Sequence, residues 1–380
     1  MIHVGIVAGE SSGDQLGGSL VAALRQAHPN IRITGMAGPK MVAAGCEAIA
    51  NVDELSVMGI VEVLRKYPQL LRLRDRISAF YLENRPDVFV GIDVPDFVMG
   101  IEARLFAENI KTVHYVAPQI WAWRQARARK IAKRLDLLLA LFPFEVPFYK
   151  RYGVNTEFVG HPLADVFPIT RDCETARREL DLNLGRTVIA LMPGSRRQEW
   201  TRHGDLFLRT AKFVAGKHRD VIFLVAAINA RARDHIASRA RELCPDLDID
   251  VRVDRSHEIL CASDVALCAS GTVTMEGLFA KTPMVVAYKL SVITHLIMKR
   301  MVKVPYIAMP NLLAGKALVP EYLQNDAQPE ALAQALTGWL DDPAKVQDYG
   351  QICTDLHKNL RQGAAQRAAF EILQLAGAIT

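Results

Sequence analysis

Short runs rich in apolar and β-branched residues recur along the first part of the chain, at His3–Ala8, Ile31–Gly35, Asp87–Ile92, Thr112–Val116 and Leu137–Phe142. Each is too short for a helix, and most are nearly continuous in apolar residues. Strands of this kind are buried on both faces, as in a parallel sheet. Between most of them, apolar residues return at helical spacing. Gly18–Ala27 is one such segment. Gln69–Glu83 is another, where Leu70, Leu71, Leu73 and Ile77 recur. Alternating strands and helices predict an α/β fold, and right-handed crossovers make it doubly wound.

The rhythm breaks at GHPLADVFP, residues 160–168, and a polar run, Ile169 to Thr175, follows. This reads as a hinge that ends a first domain at residue 165. A second series then begins, with strands expected at Val188–Met192, Val221–Ala226, Ile249–Val253, Val265–Ala269 and Met284–Tyr288. The last stretch reads as helical, with Pro329 and Pro343 where a first helical turn tolerates proline. Two such halves would leave a cleft between the carboxyl ends of two sheets, where open α/β sheets bind ligands.

Composition narrows this picture only a little. Of 380 residues, 50% are hydrophobic and 23% charged, so a disordered or collagen-like chain is excluded. The net charge of +5 does not demand nucleic acid, and no nucleic-acid signature occurs. The six cysteines are scattered, without CxxC, which fits a structural role in a reducing compartment. Ile2 to Ala8 is strand-like and lacks the basic start and long apolar core of a signal peptide. No apolar run approaches the ~20 residues a bilayer span needs, so any membrane contact is expected to be peripheral.

Glycines mark the candidate ligand sites. The first strand ends in AGESSGDQLGG, residues 8–18, which is neither GxGxxG nor a P-loop. Glu10 and Asp14 there would repel a pyrophosphate and suit sugar hydroxyls; Ser11, Ser12 and Asp14 equally suit helix capping. In the second half, LMPGSRRQEW (191–200) puts Gly194, Ser195 and Arg196 at a strand-to-helix junction, an arrangement suited to an anion. ASGTVTMEG (269–277) repeats the arrangement with Ser270, Gly271 and Thr272. Glu276, one turn into that helix, could accept ribose hydroxyls or simply complement the helix dipole.

Asp93, in GIDVPDF at the end of an expected strand, is placed to act as a general base, whereas Asp96 suits a helix cap. His161 lies in the hinge and His114 inside a strand; no histidine pair has metal-ligand spacing and no Asp-x-Asp ends a strand, so no metal is expected. Residues 121–134, WAWRQARARKIAKR, hold two tryptophans and six basic residues without an acid. Lys299, Arg300 and Lys303 fall in another acid-free stretch, between Glu276 and Glu321. Val61, Val63, Leu64, Leu70 and Leu71 make an apolar series beside Arg65 and Lys66. Such mixtures suit an anionic membrane surface or an anionic amphiphile, or else buried helix faces with solvated arginines.

Taken together and in this order, several segments resemble the lipid-A-disaccharide synthase family. They are AGESSGD (8–14), GMAGPKM (35–41), VMGIVEVL (57–64), DVFVGIDVPDF (87–97), HYVAPQIWAWR (114–124), FVGHPLAD (158–165), LMPGSR (191–196), ASGTVTMEG (269–277) and PNLLAG (310–315). Trp200 departs from the small aliphatic residue usual there. The resemblance implies a GT-B architecture, with two Rossmann-like domains facing across a cleft. Residues 1–165 would be the acceptor and membrane domain and 166–345 the donor domain. The helices of 346–380 would cross back to the first domain, or be exchanged in a homodimer.

The resemblance further implies an inverting transfer from UDP-2,3-diacylglucosamine to 2,3-diacylglucosamine 1-phosphate, giving a β-1′,6-linked disaccharide 1-phosphate and UDP. No cofactor or metal would take part. The enzyme would be cytoplasmic and peripheral, on the phospholipid of the inner face of the inner membrane. Asp93 would be the base, with Asp96, Glu10 and His161 in reserve. Arg196 and the amides of Gly194–Ser195 and Gly271–Thr272 would meet the diphosphate. Glu276 would hold the ribose, and Asn311 would be a required cleft residue. Val61 to Leu71 would shelter acyl chains, and Lys299, Arg300 and Lys303 would meet headgroups. Another UDP-sugar enzyme of this architecture, such as a UDP-N-acetylglucosamine 2-epimerase, and a non-catalytic lipid- or nucleotide-binding protein are the alternatives.

Overall fold

The computed structural model describes residues 1–55, 60–291, 301–302 and 304–379, and of residues 11 and 60–66 the backbone alone. Lys299, Arg300 and Lys303 therefore lie outside the described residues, as do the side chains of Val61, Val63 and Leu64. The chain divides into two compact units. One is Met1–Asp165 together with Leu360–Thr380; the other is Val166–Asn359.

In the first unit, β1 (His3–Ala8), β2 (Arg32–Ala37), β3 (Glu47–Asn51), β4 (Val88–Ile92), β5 (Lys111–Tyr115), β6 (Leu137–Ala140) and β7 (Thr156–Phe158) form one sheet. The order is β3-β2-β1-β4-β5-β6-β7, every pair parallel. The second unit holds β8 (Thr187–Met192), β9 (Val221–Ala227), β10 (Ile249–Val253), β11 (Val265–Ala269), β12 (Met284–Tyr288) and β13 (Glu321–Leu323). Their order is β10-β9-β8-β11-β12-β13, again all parallel. The central strands β4 and β11 are buried along their whole length, which is why they read as unbroken apolar runs. In each sheet the strand order reverses beside the first strand, between β1 and β4 and between β8 and β11. Such switch points open a crevice at the carboxyl ends of the strands.

The unit boundary near the carboxyl end differs from the one implied by resemblance. The helix Pro343–Leu360 stays with the second unit rather than returning from residue 346. Tyr349, Cys353 and His357 on it are buried. The Tyr349 ring packs edge-on against Trp339 at 5.4 Å, and Lys281 Nζ lies 2.7 Å from His357 Nδ1. Only the segment from Leu360 onward joins the first unit, where the helix Ala364–Leu375 packs on the helix Ser11–Ala27 and on β5. Among the described residues, no helix is long and apolar enough to cross a membrane. All six cysteines are free, and five of them are buried.

Candidate active site

In the first unit, the glycine-bearing segment after β1 is mostly helical. The helix begins at Ser11, directly after Glu10, so Gly13, Gly17 and Gly18 lie inside it. The lack of a side chain at Gly17 and Gly18 lets the segment 38–41 approach: a Cβ on Gly17 would fall 2.5 Å from Met41 Sδ. Asp14, buried, accepts the Gly38 N–H at 2.9 Å, the Lys40 N–H at 2.9 Å and the Met41 N–H at 3.0 Å. Its carboxylate thus caps the neighbouring helix Pro39–Ala43 and does not face a sugar. Glu10 remains exposed beside it.

Across the switch point, β4 delivers Asp93 and Val94, both left-handed, at φ 54° and 41°. A β-branched residue at positive φ is a strained conformation, of the kind that clusters at functional sites. Several contacts hold it. The Asp93 N–H donates to Tyr115 O at 3.0 Å, and the Phe97 and Val98 N–H groups donate to Val94 O. Gly9 leaves room for Val94, since a Cβ there would fall 2.5 Å from Val94 Cγ2. Asp93 is half-buried. Asp96 is exposed and pairs with Arg127 at 3.0 Å.

His161 follows β7 and ties down the returning chain. Its backbone N–H donates to Leu360 O at 2.9 Å, and its Nδ1 accepts the Leu163 N–H at 3.2 Å. A ring that accepts at Nδ1 carries its proton on Nε2, so it is a donor there rather than a base. Asp165, four residues on, accepts the Gly363 and Ala364 N–H groups at 2.9 and 2.7 Å, capping the last helix. Burial pushes the His161 pKa down to about 4. The unfolded ring, near 6.5, takes up a proton that the folded ring refuses. Stability is therefore present above 6.5 and is lost as pH falls toward 4, by about 3 kcal/mol. Unfolding midpoints at pH 7 and pH 4.5 should show this loss, and His161→Asn should shrink it. Parallel behaviour of the two proteins would refute it.

The second unit has the two junctions at its own switch point. After β8, Gly194 adopts φ 108°, and a Cβ there would strike Glu199 at 2.7 Å. Glu199 Oε2 accepts the N–H groups of Ser195 and Arg196 at 3.2 and 3.1 Å. The Ser195 amide, expected to stand open for a diphosphate, is therefore engaged within the chain. The Arg196 side chain is 84% exposed, with Nη1 3.6 Å from Glu199 Oε1. His203 braces the same loop. Its Nε2 accepts the Lys289 N–H at 3.0 Å, which leaves the Nδ1 proton to donate to Pro193 O at 3.2 Å. Burial lowers its pKa and so keeps that tautomer neutral. Neither Glu199 nor His203 was singled out from sequence, because a carboxylate one turn into a helix and a lone histidine carry no distinctive spacing.

After β11, Ser270 is half-buried, whereas Gly271 and Thr272 are exposed, and the space where a Gly271 Cβ would sit is open. Glu276 follows in the first turn of Val273–Ala280. Its Oε2 is buried without a hydrogen-bond partner. Burial raises its pKa, opposed by a hydrogen bond from Ser256. A desolvated carboxylate oxygen without a donor is costly, and a ligand hydroxyl would relieve it. Asn311 lies on the helix Met309–Ala314, which packs against the helix that carries Glu276. It is buried, with Nδ2 donating to Val319 O at 2.9 Å and Glu321 Oε1 at 2.7 Å, while Oδ1 accepts the Val319 N–H at 2.8 Å. Both amide hydrogens and one oxygen lone pair are thus spent on the framework, which leaves one acceptor position on Oδ1. Leu70 is half-buried and packs against the core of the first unit; Leu71 is also half-buried.

Comparison with known proteins adds the following. Residues 4–374 match the model of a family described as lipid-A-disaccharide synthetase. The lipid-A-disaccharide synthase of Pseudomonas paraeruginosa is 47% identical over 376 residues, covering 98% of each chain. That of Yersinia pestis is 43% identical over 375 residues, covering 99% of this chain and 95% of the relative. Among solved structures, the Neisseria meningitidis UDP-GlcNAc 2-epimerase bound to UDP-GlcNAc has a TM-score of 0.65 at 12% identity, covering 98% of this chain and 100% of that one. Staphylococcus aureus MnaA with UDP has a TM-score of 0.67 at 13% identity, covering 100% and 98%. These two likenesses concern the fold: two Rossmann-like parallel-sheet units, as in GT-B glycosyltransferases and epimerases.

Proposed function

The chain belongs to the lipid-A-disaccharide synthase family of UDP-sugar glycosyltransferases, and on that premise we propose the reaction in detail. The donor is UDP-2,3-diacylglucosamine, the acceptor is 2,3-diacylglucosamine 1-phosphate, and the products are the β-1′,6-linked disaccharide 1-phosphate and UDP. The displacement is in line and inverting. Asp93 takes the proton of the acceptor 6-hydroxyl. The first unit receives the acceptor and the second the donor. The observation that carries the donor half is Glu276 Oε2, buried and unpartnered at the β8/β11 switch point, where a ribose hydroxyl supplies the missing donor. UDP and UDP-GlcNAc in the structural relatives support a uridine nucleotide as the ligand.

The Arg196 guanidinium and the exposed Gly271–Thr272 turn meet the departing diphosphate, without metal. Preorganised donors of this kind each contribute about 2.7–4 kcal/mol to the barrier. The protein works on the inner face of the inner membrane as a peripheral enzyme, with Leu70 and Leu71 continuing the acyl-sheltering series.

Purified protein mixed with both substrates in metal-free buffer should yield UDP and the acylated disaccharide by mass spectrometry. Intact UDP binding without product would overturn the reaction and leave the fold standing. Glu276→Ala should weaken UDP about 10–100-fold, the worth of hydrogen bonds to a charged group. Unchanged UDP affinity by calorimetry would remove Glu276 from the ribose site.

A further inference from the structure

The basic run 121–134 is not absorbed by the chemistry above. It folds against the first turn of the helix Pro95–Ala107, which follows Asp93 and Val94 directly. Between them is a pocket of about 280 Å³. Met99 and Ile131, both buried, contribute apolar surface to it. Four cations line it, Arg74, Arg127, Lys130 and Arg134, against a single acid, Asp96. That acid pairs with Arg127, so three cations are left without an ion pair among the described residues.

Arg74 is the informative member. Its Nε is buried and has no hydrogen-bond partner. Gly100 gives its guanidinium room, since a Cβ there would come within 2.9 Å of both Arg74 Cδ and Nη1. A charged donor desolvated without an acceptor costs free energy. Lys130, in the short helix Ala128–Ile131, and Arg134, in the turn after it, line the same pocket and add like-charge repulsion. Both costs vanish when a dianion enters. A guanidinium fork matches phosphate oxygens in a bidentate manner, with the lysine as a point charge.

We propose that this pocket binds the phosphomonoester of the acceptor glycolipid and so selects phosphorylated acceptors over neutral ones. The assignment rests on the functional reading above and deepens it. Asp93 would take the proton at one end of the acceptor hexose while the pocket holds the phosphate at the other.

The test compares kcat/KM for 2,3-diacylglucosamine 1-phosphate and for its dephosphorylated counterpart in neutral detergent micelles. Wild-type protein should prefer the phosphorylated acceptor by about 10–100-fold, the worth of charge-assisted hydrogen bonds. In Arg74→Gln the preference should fall to within about threefold. Arg134→Gln, on an exposed position, repeats the measurement should Arg74→Gln fold poorly. A preference retained in both variants overturns the proposal. So does one other result: weakened binding of Arg134→Gln to phosphatidylglycerol vesicles with the acceptor preference intact, which would assign the cations to bilayer headgroups. If wild-type protein forms no disaccharide, the functional reading fails by itself. Calorimetry with glucosamine 1-phosphate against glucosamine then judges the pocket, and equal binding of the two sugars by wild-type protein overturns it.

Discussion

Replacing Asp93 by asparagine should lower kcat by about 10²–10⁴-fold, the usual worth of a positioned general base, while leaving UDP affinity and the unfolding midpoint close to wild type. Asparagine is the informative substitution because Asp93 sits at φ 54°. Asn tolerates the left-handed region at least as well as Asp does, so the strained Asp93–Val94 pair survives and only the carboxylate is lost. Asp93→Ala mixes both effects. The other polar groups of these motifs are less well placed. Asp96 is exposed and engaged by Arg127, Asp14 caps a helix, and the His161 ring accepts an N–H at the nitrogen a base would need free. Asp93→Asn with full turnover would move the base elsewhere, with Glu10 next in line. A lowered midpoint would mean that the carboxylate holds the loop rather than the proton.

The alternation of apolar strands and helices was legible because the strands in question are buried on both faces. The strands that escaped notice, β3, β7 and β13, are the edge strands at one or both ends of each sheet. β3 reads EAIAN with only Ala50 buried, and β7 and β13 are three residues each. An edge strand has one partner and half the burial, so its sequence carries half the signal. Site residues divided along similar lines. Asp93, Arg196 and Glu276 follow strand ends that the pattern located, and a strand end at a switch point is a position with chemical meaning. His161 and Asn311 stood out through motifs, GHP and PNLLAG, but a motif does not say whether a polar side chain faces a ligand or the backbone. The structure answers that by hydrogen-bond count. Asp14 and Asp165 are the same lesson in carboxylates, each satisfied by N–H groups of a segment distant in sequence.

Asn311 offers the second large effect, and a way to separate framework from catalysis. Its amide satisfies the Val319 N–H and C=O and donates to a Glu321 carboxylate that also accepts the Ile307 and Ala308 N–H groups. Removing it in Asn311→Ala strands buried partners at about 1–3 kcal/mol each, and the unfolding midpoint should fall by roughly 10 °C for a unit of this size. Asn311→Asp has nearly the same shape with the opposite electrostatics. At neutral pH its second oxygen would face Val319 O and Glu321 Oε1 across 2.9 and 2.7 Å, replacing two attractions by two repulsions. It should therefore be less stable than Asn311→Ala at pH 7.5. The same repulsion raises the new carboxyl pKa above its unfolded value. Stability is then fully present below the unfolded pKa and lost as pH rises through the folded one, so the deficit should shrink on acidification, where the protonated acid donates to one of the two acceptors the amide served. A residue that touched substrate, with no part in the framework, would give the reverse: wild-type midpoints for Asn311→Asp at every pH, and turnover alone lost.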